Sequence, residues 1–364
     1  MKKIFALFAI LFLGLVLVSC GEKTYEIAMI TDTGDIDDGS FNQGTWEGIK
    51  EYATKNDKTH KYYKPNGETT ADYISAIDLA VAGGAKIIIT PGFYFETPIF
   101  RAQTKYPDVK FVLLDGEPHS GDYNIVVGDN TLSIFFKEEE SGFLAGYASV
   151  KEGFKNLGYM GGIAVPAVQR FGIGYVAGAY QAAKDMNIDI TFSANHYTYL
   201  GTFGPSDEYK NQAASWYNSG VEVIHAAAGG AGSSVMAAAA EATNKWVVGV
   251  DSDQADQSST VLTSAVKGVG QAAFDALEAY YNDNFPGGET WNLGAKEKAV
   301  GLPMETSRFK TFGQEDYDAI FAKLVDGTIE VPTTANELKT YLNSIAEGKW
   351  DLDIIDEVLG AEEE

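Results

Sequence analysis

Between Thr31 and Gly48 the chain reads Thr-Asp-Thr-Gly-Asp-Ile-Asp-Asp-Gly-Ser-Phe-Asn-Gln-Gly-Thr-Trp-Glu-Gly. Asp32, Asp35, Asp37 and Asp38 supply hydrogen-bond acceptors there, Asn42 an amide and Phe41 an aromatic face. Acceptors beside an aromatic ring suit a flat, polar ligand. Taken singly, Asp35, Asp37 and Asp38 read as solvated acids. Taken whole, the stretch is longer and richer in chemistry than a plain connection of about two to six residues requires. It reads as a binding loop.

Other polar groups fall where apolar runs end: Asp115, the Gly229–Gly232 run and Asp251. An Asp after a strand often only caps the next helix, and for any one of these that alternative stands. Asp32, Asp115, Gly229–Gly232 and Asp251 together, drawn from both halves of the chain, point to a shared cleft. The glycine run, with Gly230 inside it, lets the backbone approach a ligand and aims helix N–H groups at it. It lacks the third glycine of a dinucleotide fingerprint. Asp251 occupies a position from which an acid accepts from ribose hydroxyls. Lys267 adds a cation beside those hydroxyls or is an ordinary surface lysine. Phe203, in the aromatic loop 197–205, faces Phe41 across the cleft or belongs to the core. A flat base between two rings gains ~1–3 kcal/mol per stacked face.

Catalysis has little support. His60, His119, His196 and His225 are scattered, with no His-Glu-x-x-His and no Gly-x-Ser-x-Gly. Asp35-x-Asp37-x-Gly39 fails the calcium-loop template, because its later ligand positions hold Gly39 and Trp46. Asp32–Asp38 loosely resembles the metal motif of calcium-dependent nucleoside hydrolases but lacks its proline and has Gly and Asp out of place. Binding is the preferred reading, with such a hydrolase as the enzymatic alternative.

These residues need an α/β frame to position them. Tyr25–Ile30, Lys86–Thr90, Lys110–Asp115 and Ile125–Val127 read as strands, with helices over 71–82 and 97–106 between them. Ser40 followed by Gln43 is a capping-box pattern that starts a helix at Ser40. Glu138–Lys151 reads as a helix, and a second series then begins near Leu157. It has helices over 175–185, 210–217 and 233–242, and strands at 188–197, 221–225 and 246–250. Near-continuous apolar strands imply parallel sheets covered on both faces. After strand 260–266 and helix 269–281, residues 285–297 read as a Gly/Trp loop, with strands near 299–302 and 309–311 and helices to Gly360. The expectation is two doubly wound parallel-sheet lobes: lobe 1 over 25–135, lobe 2 over 136–262, and 263–364 completing both through several crossovers.

The ends and composition bound the setting. Met1-Lys2-Lys3 and an apolar run over 4–18 describe a secretory signal over 1–19. Leu-Val-Ser-Cys20 looks like a bacterial lipobox, and Cys20 is the only cysteine. Lipidated there, with residues 20–24 as tether, the chain has no thiol left for a disulfide or a nucleophile. A net charge of −24 repels nucleic acid and anionic headgroups. Nucleic acid is set aside as a partner.

Several stretches together carry a family resemblance. They are Thr31-Asp32-Thr33-Gly34 with Asp37–Gln43 and Trp46-Glu47-Gly48, Phe136-Lys137-Glu138 with Leu144-Ala145-Gly146, and Ala227-Ala228-Gly229-Gly230. To these are added Val248–Asp251 with Asp253-Gln254, and Leu262-Thr263-Ser264 with Val266-Lys267. In them the chain resembles the basic membrane protein (BMP) family of bacterial lipoproteins, and within it the purine nucleoside receptor group of ABC importers. The resemblance implies a type I periplasmic-binding-protein fold whose two lobes close on adenosine, guanosine or inosine. It implies a permease partner, a lipid anchor at Cys20 on the extracytoplasmic face, no cofactor and no reaction. By position it implies that Phe41 and Phe203 sandwich the base and that Asp32, with Thr33 or Asn42, reads its edge. Asp115, Gly230, Asp251 and Lys267 would hold the ribose. Thr33 stands where relatives often carry Asn, and 203–207 departs from the family's Phe-x-Asp-Pro run. A sugar- or riboflavin-binding member of the same superfamily, or a surface adhesin on that scaffold, is the alternative within this fold.

Overall fold

A computed structural model describes residues 24–346. The signal over 1–19, Cys20 with most of its tether, and the end of the chain beyond 346 lie outside the described residues. In order, the first half comprises β1 (Ile27–Ile30), α1 (Phe41–Lys55), β2 (His60–Tyr63), α2 (Thr70–Ala82), β3 (Ile87–Pro91), α3 (Glu96–Lys105), β4 (Lys110–Leu114) and β5 (Thr131–Phe136). Next come α4 (Glu138–Glu152), β6 (Leu157–Gly161), α5 (Pro166–Met186), β7 (Tyr197–Tyr199), α6 (Asp207–Asn218), β8 (Val223–Ala227), α7 (Gly232–Ala240), β9 (Trp246–Asp251) and β10 (Val261–Lys267). The chain then runs through α8 (Val269–Tyr281), β11 (Thr290–Leu293), β12 (Val300–Gly301), α9 (Gln314–Val325) and α10 (Ala335–Ala346).

The strands form two sheets, ordered β11-β5-β4-β3-β1-β2 and β12-β10-β9-β8-β6-β7. The first is parallel throughout, and in the second only the β10–β12 pair is antiparallel. Central strands such as β1 and β3 are buried on both faces, as helix-covered parallel sheets require. The doubly wound pair of lobes is therefore present. The chain passes between them three times: after β5, where α4 packs on β10 and β12; after β10, where α8 packs on α1; and between β11 and β12. The boundary placed at 262 falls inside β10.

Other expectations change. Ile125–Val127 is no strand, since only Ile125 bridges to His119; the fifth strand is β5, farther along. The Gly/Trp loop contains β11, which extends the first sheet beside β5. Residues 309–311 form no strand. The backbone N–H groups of Lys310, Thr311 and Phe312 donate to the Glu152 carboxylate at the end of α4. The charged, half-exposed β2 carries too weak an apolar pattern to be seen in the sequence.

α4 is buried from Glu138 to Val150, an unusual state for a helix that opens with three glutamates. Its tight contact with α5 explains this. Cβ atoms added at Gly142 or Gly146 would run into the backbone carbonyls of Phe171 and Tyr175, and at Gly174 or Gly178 into those of Glu139 and Phe143. Glycine lets the two helix backbones touch, and that contact aligns the start of α4 with Arg170 of α5. Gly146→Ala must separate the helices, an overpacking that typically costs about 1–3 kcal/mol. The thermal midpoint should fall by several degrees, and an unchanged midpoint would mean that the two helices do not meet this closely.

Candidate functional site

The loop between β1 and α1 is organised by Asp38. Its carboxylate accepts from the backbone N–H groups of Ser40, Asn42 and Gln43 at 2.8–3.0 Å, capping the first turn of α1. The expected capping box is thus displaced: Ser40 flanks the helix without its side chain capping it, and Gln43 reaches back to the Gly39 N–H. Asn42 is buried and its amide is used within the loop. It donates to Asp32 Oδ1 at 2.8 Å and to Asp38 Oδ2 at 2.9 Å, while its oxygen accepts from the Asp32 N–H. Asn42 therefore holds Asp32 in place. Burial pushes the Asp32 carboxyl up to about 6, opposed by its bonds to the Gly34 N–H and Asn42. Asp32 Oδ2 faces Gly92, at the end of β3. Thr33 lies half-buried in the same loop. Asp35 pairs with Lys64 at the surface and Asp37 is exposed, so the acids of this loop diverge instead of converging on one ion.

At the floor of the cleft the two lobes meet on Lys267, the last residue of β10. It is 3% exposed, and its ammonium donates to Asp115 Oδ2 at 2.5 Å and Glu138 Oε1 at 3.2 Å, with Asp251 Oδ1 at 3.8 Å. It also lies over the Phe41 ring, 4.5 Å from the centroid. Desolvation alone would lower its pKa, but the surrounding carboxylates win and raise it, so the charge is retained. Asp115 follows β4 of the first lobe, and Asp251 ends β9 of the second. Both have left-handed backbones, with φ of 56° and 62°. A non-glycine residue there bears strain of roughly 1 kcal/mol, and such strain collects at functional sites.

Among the described residues, Asp115 Oδ1 is buried without a hydrogen-bond partner. Burial raises this carboxyl to about 6, against the pull of Lys267. Asp251 Oδ2 accepts from Ser40 Oγ at 2.6 Å, which leaves Oδ1 beside the lysine. The floor thus presents two carboxylate oxygens and an ammonium edge, a set that receives hydroxyl groups.

Phe203 lies on the second-lobe rim, where its ring rests on Gly162 and Gly229. Its carbonyl accepts from the Ala231 N–H at 2.8 Å. Gly230 sits in a short turn before α7, with the carbonyls of Phe203 and Asp38 facing its Cα. Asp115, Asp251, Lys267 and Phe41 are therefore gathered at the floor, Asp32 and Asn42 lie together in the first-lobe loop, and Gly230, beside Phe203, faces that loop's Asp38.

Sequence reading missed the support beneath Lys267. Glu138 is fully buried; its Oε1 takes the lysine and its Oε2 takes Arg170 Nε at 2.7 Å. Three glutamates opening a helix suit the helix dipole whichever way they face, and nothing local reveals Arg170 across from them.

The comparisons agree with this architecture. A family model described as "ABC transporter substrate-binding protein PnrA-like" (Bmp) matches residues 25–335. The "CD4+ T-cell-stimulating antigen" of Listeria innocua is 31% identical over 360 residues, covering 90% of this chain and 97% of that one. The "ABC transporter nucleoside-binding protein BmpA" of Lactococcus lactis is 31% identical over 335 residues, covering 84% and 88%. Among solved structures, an ABC transporter solute-binding protein from Aeropyrum pernix aligns with a TM-score of 0.72 at 22% identity, over 92% of this chain and 99% of that one. That likeness shows the fold, the type I arrangement of periplasmic solute-binding proteins.

Glu139, beside Glu138, gives a pH test of the buried cluster. Burial, then the neighbouring Glu138 charge, push its carboxyl from 4.5 to about 8, with Arg170 Nε 3.7 Å from its Oε2. Between those two values the folded protein keeps a proton that the unfolded chain has lost. This group's contribution to stability therefore falls as pH rises through the window, by at most ~1.4 kcal/mol per pH unit. Glu139→Gln lacks that slope. Its thermal midpoint should match the parent near pH 4.5 and exceed it progressively toward pH 8. Parallel curves for the two proteins would contradict the buried, proton-holding site.

Proposed function

The chain belongs to the Bmp family of PnrA-like ABC transporter substrate-binding proteins, and from that premise we propose that it captures a purine nucleoside between its lobes and delivers it to an importer's permease. Adenosine, guanosine and inosine are the ligand class, and a lipid on Cys20 tethers the protein to the outer face of the cell membrane. Proteins of this kind work outside the cytoplasm, and no helix among the described residues is long and apolar enough to cross a membrane.

The observation that carries the proposal is the buried, unpartnered Asp115 Oδ1 beside Lys267 and Asp251 Oδ1. A buried acceptor without a donor is costly, and an ion-paired carboxylate without one more so. Vicinal hydroxyls from a ribose supply donors to both carboxylates, while the lysine's remaining N–H donates to a hydroxyl oxygen. Surplus negative charge around one ammonium disfavours a phosphorylated ligand. Phe41, with Lys267 on one side of its ring, offers a stacking surface to the base, and Phe203 closes from the other lobe. Asp32, held by Asn42, reads the base edge with Thr33. The name of the Lactococcus relative points the same way. The divergence of Asp35, Asp37 and Asp38 supports binding over calcium-dependent hydrolysis.

The test is calorimetric titration of the ligand-stripped protein with inosine, adenosine, guanosine, hypoxanthine, ribose and riboflavin. Purine nucleosides should bind tightly, with free base and ribose far weaker. A response to riboflavin or a sugar alone, or release of free hypoxanthine from inosine with calcium, would overturn the reading. Asp251→Ala should weaken inosine about 10- to 100-fold, the range for losing hydrogen bonds to a charged group. Binding of 2′,3′-dideoxyinosine should barely change, and equal losses would remove Asp251 from the ribose site.

A further inference from the structure

Ser40 is fully buried at the start of α1, yet its hydroxyl does not cap that helix, because Asp38 already does. The freed hydroxyl crosses to the other lobe and donates to Asp251 Oδ2 at 2.6 Å. It does not cross alone. Gln254 Nε2 and Gln257 Nε2 both donate to the Gly39 carbonyl, at 2.9 and 2.7 Å, and Ser252 Oγ donates to the Ser40 carbonyl at 3.3 Å. Gly39 adopts φ +68°, and a Cβ there would sit 2.6 Å from the Gln257 amide. Two residues of the first lobe are thus seated on residues 251–257 of the second, with the serine hydroxyl placed on the carboxylate that faces the ligand.

We propose that Ser40 is a positioning residue that couples lobe closure to hydroxyl recognition. It orients Asp251 from the opposite lobe and fills Oδ2, so that Oδ1 alone is turned to the ligand beside Lys267. The selection for a ribose hydroxyl is therefore made by a carboxylate of the second lobe held by a hydroxyl of the first, and it operates only when residues 39–40 are seated. This role rests on the nucleoside reading above. It assigns to the Gly39-Ser40 pair a task distinct from the stacking of Phe41 next to it.

The experiment is titration of parent, Ser40→Ala, Asp251→Ala and the double variant with inosine and with 2′,3′-dideoxyinosine. Ser40→Ala should weaken inosine about tenfold, the scale of one charge-assisted hydrogen bond, while the dideoxy analogue changes less than about twofold. In the Asp251→Ala background, Ser40→Ala should have no further effect on inosine, because the group it positions is gone. A merely structural role would weaken both ligands alike and persist in that background, and either result overturns the proposal. If Ser40→Ala does not fold, Ser40→Gly gives the same comparison. A parent protein that binds neither ligand overturns the nucleoside reading itself, whereas parent binding with equal losses overturns the role of Ser40 alone.

Discussion

An ammonium group buried between two lobes is the constraint on which the rest of this structure depends. Lys267 can keep its charge away from water only if carboxylates surround it. They come from separate parts of the chain: Asp115 from the end of β4 in one sheet, Asp251 from the end of β9 in the other, and Glu138 from the first turn of α4 just past a crossover. Glu138 is in turn balanced by Arg170, and the glycine-lined contact of α4 with α5 brings that pair into register. Each acid in this set would be unfavourable alone. Together they hold a cation fixed at the base of the cleft and leave acceptor oxygens facing inward.

The frame of this arrangement was legible in the sequence, and its underpinning was not. Buried parallel strands are nearly continuous apolar runs, so β1, β3, β4, β8 and β9 stood out, and polar residues at their C-terminal ends marked the cleft. Asp32, Asp115 and Asp251 stand at or just past those ends. Two of the edge strands, β2 and β11, escape that pattern, whereas β12 lies in the run expected near 299–302. β2 is charged and half-exposed, and β11 is a short Trp-bearing segment paired with a strand far back in the chain. Partnerships were lost for a related reason. Which acid meets Lys267, and whether Ser40 caps its own helix or reaches 211 residues along to Asp251, is decided by tertiary packing. Local pattern favoured the capping box, and the better-placed Asp38 took that task instead.

In the proposed function the same residues serve both positioning and selectivity. Asp38 orders the loop, Asn42 fixes Asp32, and Ser40 is left free to engage the opposite lobe. In the proposed cycle no bond is made or broken in the ligand. Recognition comes from filling acceptors that the protein leaves unmet, and release needs only the parting of the lobes. Membership in a family of ABC substrate-binding proteins is consistent with a site that holds its ligand without transforming it.

The most direct test of this account is a crystal structure of the protein with inosine. It predicts the base lying against Phe41 on the side away from Lys267, its edge toward Asp32, and the ribose hydroxyls on Asp115 Oδ1 and Asp251 Oδ1. Electron density for the sugar away from these carboxylates, with Asp115 Oδ1 still without a donor, would contradict it.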